Sequence, residues 1–313
     1  MYKLMLVAAT LLFSIKVIAV GSADNLKQES TTPLKVMSYN VLYGFNHGKQ
    51  IDAGAKWIAS QSVDFLALQE MYKFTPERLS MLAKRWGHQH SYYYKRKPGK
   101  GISLAFTSKF PINDVQILEE GVNRGFLLLE SGGIHFIVVH LTSQRLGDRQ
   151  QESSYISSTI KQLIEAGEKL VVLGDFNAMS ALDHQRHSNM EIELQAMRDH
   201  PKKRLNLNAN NFDTSILKSY YELGLYDSTY YQLIDSDKKD KLIGTWPSMA
   251  VKKVTSKEIQ QQRFMRIDYI LTSQNLVDNI IDADVLNRSD AQVLDQISDH
   301  YPVIMKLKYS SSP

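Results

Sequence analysis

Residues Lys169 to Ala178 read KLVVLGDFNA. Leu170, Val171, Val172 and Leu173 are apolar without interruption, the pattern of a strand covered on both faces inside a sheet. Gly174 lets the backbone turn sharply, and Asp175 and Asn177 follow two residues apart at the strand's end. A carboxylate there suits a metal or a water proton, and a neutral carboxamide can donate hydrogen bonds to a phosphate oxygen. An Asp and an Asn that cap the next helix would give the same local sequence. The choice between the two readings rests on the other strand ends of the chain.

Working outward, Leu34 to Asn40 alternates apolar and polar as a first strand, and Val63 to Leu68 forms a second strand that ends at Gln69-Glu70. Lys49 to Gln61 carries helical spacing through Ile51, Ala55, Ile58 and Ala59. Thr75-Pro76-Glu77 starts another helix, with Thr as N-cap and Pro at the first helical position. Strands follow at 89–94 and 101–107 around the basic tip Lys95 to Lys100. Further strands are expected at 115–119, 125–130 and 134–140, the last two joined by Ser131-Gly132-Gly133. Residues 148–166 are helical. Residues 179–226 are irregular, with helices near 190–199 and 213–223, and are expected to cover the site as a long insertion. Strands at 242–246, 266–271 and 303–307 complete the chain. Polar residues therefore close several apolar strands: Asn40, Glu70, His140, Asp175 with Asn177, Asp268, and Asp299 with His300. Strand ends of this kind suit one shared cleft.

The composition, 22% charged and 43% apolar over 313 residues, is that of a globular chain with ample core. Residues 1–23 read as a secretory signal: a basic start at Lys3, an apolar stretch from Leu4 to Val20, and small residues at Gly21-Ser22-Ala23. Lys16 interrupts the apolar stretch and argues against a lasting membrane span. The expected location is secreted or periplasmic, with an uncleaved N-terminal membrane anchor as the alternative. Residues 24–33 form a flexible lead-in, and 34–309 a single domain. The absence of Cys excludes disulfides, thiolate catalysis, Cys-based zinc sites and a lipidated N-terminal Cys. Removing residues 1–23 deletes Lys3 and Lys16 and no acid, leaving 35 basic against 33 acidic residues, a net +2. That balance is no strong polyanion-binding signature.

SYNVLYG (38–44), LALQEM (66–71), IVVHLTS (137–143), VVLGDFNA (171–178), RIDYILTS (266–273) and ISDHYPV (297–303) resemble, in order, the motifs of the endonuclease/exonuclease/phosphatase superfamily. That group includes pancreatic deoxyribonuclease, exonuclease III-like repair enzymes, neutral sphingomyelinases and inositol-polyphosphate 5-phosphatases. The resemblance spans Lys35 to Leu307. It implies an α/β fold: a four-layer α/β/β/α sandwich of two mixed β-sheets flanked by helices, deoxyribonuclease I-like.

The resemblance also implies roles. Glu70 is similar to the family's magnesium-binding glutamate, Asn40 to the asparagine beside that metal, and Asp299 to the aspartate of the metal shell or its waters. Manganese is expected to substitute for magnesium. Asp175 resembles the aspartate that orients or deprotonates the attacking water, with Asn177 as its phosphate-binding partner. His300 with Asp268 resembles the His–Asp pair. His140 resembles a second, phosphate-binding histidine. In deoxyribonuclease-like members that histidine pairs with an earlier glutamate; the comparable stretch here, Lys95 to Phe106, has no acid, so a general-acid role does not carry over. Arg124, Arg145 and Trp246 are further candidates for the cleft. Each residue also has a structural alternative: Glu70 and Asp175 as helix caps, His140 in the core, Asp268 paired with Arg266 or Arg263, Asp299 in a turn.

The function expected from the sequence is a secreted magnesium-dependent phosphodiester hydrolase that works by in-line water attack, a nuclease before the alternatives. Those are a lipid-headgroup phosphodiesterase, a sugar- or inositol-phosphate phosphatase, and a non-catalytic binding module on the same fold. The expected partner is a phosphate ester, nucleic acid among the candidates, and the expected state is a monomer.

Overall fold

The computed structural model describes residues 33–96, 103–187, 190–233 and 244–308. The expected signal, most of the expected lead-in, the basic stretch from 97 onward, the start of the expected strand at 242–246 and the tail after 308 lie outside these. In chain order the elements are β1 (Leu34–Asn40), α1 (Ile51–Gln61), β2 (Phe65–Gln69), α2 (Pro76–Lys84), β3 (His90–Lys95), β4 (Ser103–Ser108), β5 (Ile112–Leu118), β6 (Phe126–Ser131), β7 (Ile134–His140), α3 (Leu146–Glu165) and β8 (Leu170–Asp175). After β8 come α4 (His184–His187), α5 (Glu191–Asp199), β9 (Leu207–Asn208), β10 (Asn211–Phe212), α6 (Ser215–Glu222), β11 (Leu225–Asp227) and α7 (Ser228–Leu233). The last are α8 (Lys257–Arg263), β12 (Asp268–Ser273), α9 (Gln274–Val277), β13 (Ile280–Val285), α10 (Ala291–Ile297) and β14 (Val303–Leu307).

Local sequence sets these boundaries. Thr75 caps α2, its hydroxyl accepting the Arg78 N–H at 3.2 Å, with Pro76 next in place. Gly132 and Gly133 both take positive φ, 60° and 75°, as the two-residue turn between β6 and β7 requires.

Two sheets result, ordered β13-β14-β1-β2-β4-β3 and β11-β12-β8-β7-β6-β5. In each, two neighbouring strands run parallel, β1 with β2 and β7 with β8, and the other pairs are antiparallel. The sheets face each other across one core. Phe65 of β2 and Phe106 of β4 each place their rings 4.9 Å from that of Phe136 in β7. Alternate residues of β8 divide between two clusters: Val171 and Leu173 join the core between the sheets, and Leu170 and Val172 join the cluster under α3 and α6. That division explains the uninterrupted apolar run. On the far side of the first sheet, Ile58 of α1, Leu82 of α2 and Leu294 of α10 close the core. The four-layer α/β/β/α sandwich is thus the fold.

Two expectations need correction. Within 242–246 the described residues show a single bridge, Trp246 to Met265, in place of a strand; Pro247 follows directly and has no N–H to extend a ladder. The sequence also offered no sign of β13. It is an edge strand carrying Asp282 and Asp284, and only Ile280, Ala283 and Val285 are buried.

Candidate active site

Register brings the polar strand ends together. His140 lies beside Asp175 in the β7–β8 ladder, and Asp175 lies opposite Asp268 in the β8–β12 ladder. Val138, Leu173 and Ile270, two residues away on each strand, face the inter-sheet core. Side chains alternate along a strand, so His140, Asp175 and Asp268 emerge in one row at the open end of that core. Gly174 makes the row possible. Its φ is +145°, and a Cβ there would sit 2.0 Å from the Val139 carbonyl oxygen.

The first sheet supplies the opposing side. Asn40, last in β1, donates from Nδ2 to Asp175 Oδ2 at 3.0 Å and reaches Glu70 Oε1 at 3.4 Å. Glu70 follows β2 with φ +61° and accepts the Tyr43 N–H at 3.0 Å. The Tyr43 amide is presented by a turn in which Leu42 to His47 all have positive φ. Such backbone is strained for non-glycine residues and gathers at functional sites. Asn177, also at positive φ, gives its backbone N–H to Asp175 Oδ1 at 2.9 Å and its side-chain amide to the Leu141 carbonyl at 3.0 Å.

His300 Nδ1 stands 2.8 Å from Asp268 Oδ2, and Nε2 stands 3.8 Å from Asp175 Oδ2. The segment is pinned by Ser298, which accepts the His300 N–H and donates to the Asn40 carbonyl at 2.6 Å. Thr245 Oγ1 accepts the backbone N–H groups of Ile267 and Asp268. His140 Nε2 lies 3.3 Å from Asp175 Oδ2, whereas its buried Nδ1 has no partner. Among the described residues no glutamate is bonded to that ring. Arg266 is not the partner of Asp268: it binds Asp183 at 2.9 Å and Asp227 at 2.6 Å, and Arg263 binds Glu193 at 2.9 Å.

The electrostatics separate these groups. Burial raises the proton affinity of Asp175, the charge of Asp268 raises it further, and His300 and the donated hydrogen bonds pull the other way. Burial alone would neutralise His300, but Asp268, Asp299 and Asp175 outweigh it and hold the imidazolium well above the ordinary histidine range. His140 moves in the opposite direction, through burial and then the cations Arg124 and His300. The site so combines a carboxylate able to take a proton near neutrality, a charged imidazole and a neutral one. This divergence marks an acid–base site.

The donors also suit a hard divalent cation. Burial and the nearby Asp299 charge raise the proton affinity of Glu70, and among the described residues no salt bridge neutralises either carboxylate. Glu70 and Asp299 offer carboxylate oxygens of the kind a hard divalent cation takes, while Asn40 turns its Nδ2 toward Glu70 and its Oδ1 accepts the Leu42 N–H. A second cluster, Asp175, Asp268 and His300, brings ligand atoms within 4.8 Å of one another. There the His300–Asp268 contact of 2.8 Å already offsets charge.

Glu70, His140, Asp175, Asn177, Asp299 and His300 line a cavity of about 500 Å³. Arg124 lines it and donates to the Leu141 carbonyl at 2.8 Å; Glu152 of α3 fixes the loops on both sides by accepting the Arg124 and Thr142 N–H groups. Trp246 lines it as well. Arg145 does not: it is exposed at the N-cap of α3, and Arg149, one helical turn on, faces the cavity in its place. The i, i+4 relation was the available signal. Lys203 is also in the wall.

The Endonuclease/Exonuclease/phosphatase family profile matches residues 37–300. No curated protein sequence matches the chain at a significant level. Among solved structures, the chain is similar to an AP endonuclease from Archaeoglobus fulgidus, at 18% identity over 88% of this chain and 100% of that one, with a TM-score of 0.64. A 3′ phosphatase from Neisseria, bound to product DNA hairpin, is similar at 20% identity, with the same coverage of both chains and a TM-score of 0.65. A 3′-5′ exonuclease from Neisseria meningitidis is similar at 19% identity, again with 88% and 100% covered and a TM-score of 0.64. At these identities the likeness establishes the sandwich fold, and the profile establishes the family. The chain belongs to the endonuclease/exonuclease/phosphatase family of phosphoester hydrolases.

Proposed function

We propose that this chain is a secreted, magnesium-dependent phosphodiester hydrolase, and a nuclease before a lipid-headgroup phosphodiesterase or a sugar-phosphate phosphatase. The observation that carries the reading is the position of Asp175, whose Oδ2 lies within 3.0 to 3.8 Å of Asn40, His140 and His300 together.

A phosphodiester is anionic and resists an incoming hydroxide, so the site must offset charge and fix the nucleophile. Asp175, with its raised proton affinity, orients a water in line with phosphorus and takes its proton as the new phosphorus–oxygen bond forms and the ester bond breaks. His300, held as imidazolium by Asp268, donates to a non-bridging oxygen. His140 stays neutral and acts on the phosphate as a hydrogen-bond donor. Asn177 uses one amide hydrogen on Leu141 and has a second for the phosphate. Glu70 and Asp299, with Asn40 beside them, would hold magnesium, or manganese in its stead, which when bound would supply positive charge to the phosphate and the leaving oxygen.

Residues 1–23 support export to the periplasm or medium, with a membrane anchor as the second possibility, and residues 34–309 serve as one catalytic domain acting as a monomer. No helix among the described residues is long and apolar enough to cross a membrane. The test is turnover by purified protein with magnesium, and then with excess chelator, on plasmid DNA, RNA, sphingomyelin and a bis-aryl phosphodiester. Chelator-sensitive cleavage of DNA or RNA is expected. Turnover of lipid alone makes it a headgroup phosphodiesterase. No turnover of any, with metal bound, makes it a binding module.

A further inference from the structure

Resting on the nuclease reading above, we infer that Tyr43, His47 and Tyr72 form a stacking ledge at the Glu70 end of the cleft for an unpaired base of the substrate strand. The three rings make one exposed group. Tyr43 stacks on His47, with ring centroids 5.1 Å apart and planes 13° from parallel, and Tyr72 meets Tyr43 at right angles with centroids 5.9 Å apart. Tyr43 and Tyr72 remain 46% and 40% exposed. Tyr43 also lines the catalytic cavity with Glu70, so the ledge begins where the reacting centre ends.

The backbone favours this display over burial. Tyr43 and His47 lie in the turn of consecutive positive φ values, and Glu70 and Lys73, which flank Tyr72, also take positive φ, 61° and 62°. The two turns fit closely: a Cβ at Gly44 would sit 2.8 Å from the Tyr72 carbonyl oxygen. Phe45 is fully buried, its ring centroid 6.4 Å from that of Phe74, and the Asn46 side chain donates to the Gln296 carbonyl at 2.9 Å. Phe45 thus anchors the turn, while the same strained backbone holds Tyr43 out. Aromatic rings already held against one another lose little freedom when a ligand packs on them.

Charge and shape select the occupant. Glu70 is the only acid in residues 42–49 and 70–74, against the exposed Lys49 and Lys73. Lys73 Nζ lies 5.7 Å from the Tyr72 ring centroid. Ring surfaces beside lysines suit a base and its flanking phosphates. A membrane surface asks for Leu, Phe or Trp side chains that enter the acyl boundary, and Leu42, Phe45, Met71 and Phe74 of these turns are buried or half-buried. A paired base keeps its faces inside the duplex stack, so the ledge takes bases of single strands or frayed ends.

The test compares initial rates with magnesium on a thymidylate dodecamer and on an abasic strand of equal length and charge, with tetrahydrofuran in place of each nucleoside. Wild type is expected to favour the thymidylate strand about tenfold in kcat/KM, the scale of one stacked base. Tyr72→Ala and, independently, Tyr43→Leu are expected to bring that ratio close to one, and Tyr43→Phe to keep it, with circular dichroism confirming that each variant is folded. A wild-type ratio of one or below, or a ratio that neither Tyr72→Ala nor Tyr43→Leu changes, overturns the ledge. Co-sedimentation of wild type with phosphatidylcholine vesicles, lost in Tyr72→Ala, assigns the rings to a membrane and overturns the base. Turnover of bis(4-nitrophenyl) phosphate with neither strand cut also overturns the ledge and leaves the hydrolase reading standing. Turnover of none of the three substrates removes the hydrolase reading itself.

Discussion

Asn40 and Asp175, 135 positions apart in the chain, share a buried hydrogen bond of 3.0 Å that joins the two sheets at their polar ends. Asn40 Oδ1 meanwhile accepts the Leu42 N–H at 3.2 Å, so this one side chain also anchors the strained turn that presents Tyr43 to Glu70. Asn40→Ala removes the shortest of the contacts to the buried Asp175 Oδ2, leaving His140 and His300 at 3.3 and 3.8 Å. The expected cost is roughly 1–3 kcal/mol in urea unfolding, with turnover reduced about 100-fold or more.

Asp175 and Asp268 are buried carboxylates directly opposite each other in a ladder, and the Asp268 charge adds to burial in raising the cost of charging Asp175. Asp175→Asn removes that repulsion and keeps the shape. It is expected to melt at or above the wild-type temperature while losing turnover by about three orders of magnitude. Asp175→Ala and His300→Ala are likewise expected to abolish turnover in a folded protein. Wild-type-like rates in either would remove that residue from the chemistry.

Asp268 and His300 act as a unit across 2.8 Å. Asp268→Asn and His300→Ala should therefore not add: the double variant is expected to lose little more activity than His300→Ala alone. Single-turnover kinetics on the four proteins checks this, and fully additive losses would separate the two residues.

Gly174 carries no side chain because Val139 O occupies the place of a Cβ. Gly174→Ala must push β7 and β8 apart or leave a φ of +145° to a residue that rarely adopts it. About 3–5 kcal/mol of stability is expected to be lost, measured by thermal unfolding.

His88 tests the core independently of the site. It is fully buried between Thr107 Oγ1 at 2.7 Å and the Val63 carbonyl at 2.9 Å, and burial pushes its pKa down to about 4. The unfolded chain takes up this proton near pH 6.5, before the folded chain does. The stability held by neutral His88 is complete above about pH 6.5 and is lost as pH falls toward 4, by up to about 3 kcal/mol. The melting temperature of wild type is expected to fall across that window, and that of His88→Gln to fall less.

Much of this arrangement is legible in the sequence because a buried strand ending in a polar residue is a local pattern. KLVVLGDFNA carries both halves within ten residues, and the same holds for IVVHLTS and ISDHYPV. What bears no local mark is the identity of each partner. Asp268 stands two residues from Arg266, yet pairs with His300, while Arg266 reaches Asp183 and Asp227. Arg145 and Arg149 look alike as cations after a strand, and only the rotation of α3 decides which one faces the cavity. Edge strand β13 and the seven-residue α10 bury too few residues to show a period.

The most direct measurement is an anomalous-scattering map from crystals grown with manganese. A single strong peak is expected at the Glu70 carboxylate, on the Asn40 and Asp299 side of the cleft, and Glu70→Gln is expected to erase it. A peak elsewhere, or none at concentrations that support turnover, would contradict the assembly of these strand ends around one cation and one phosphate.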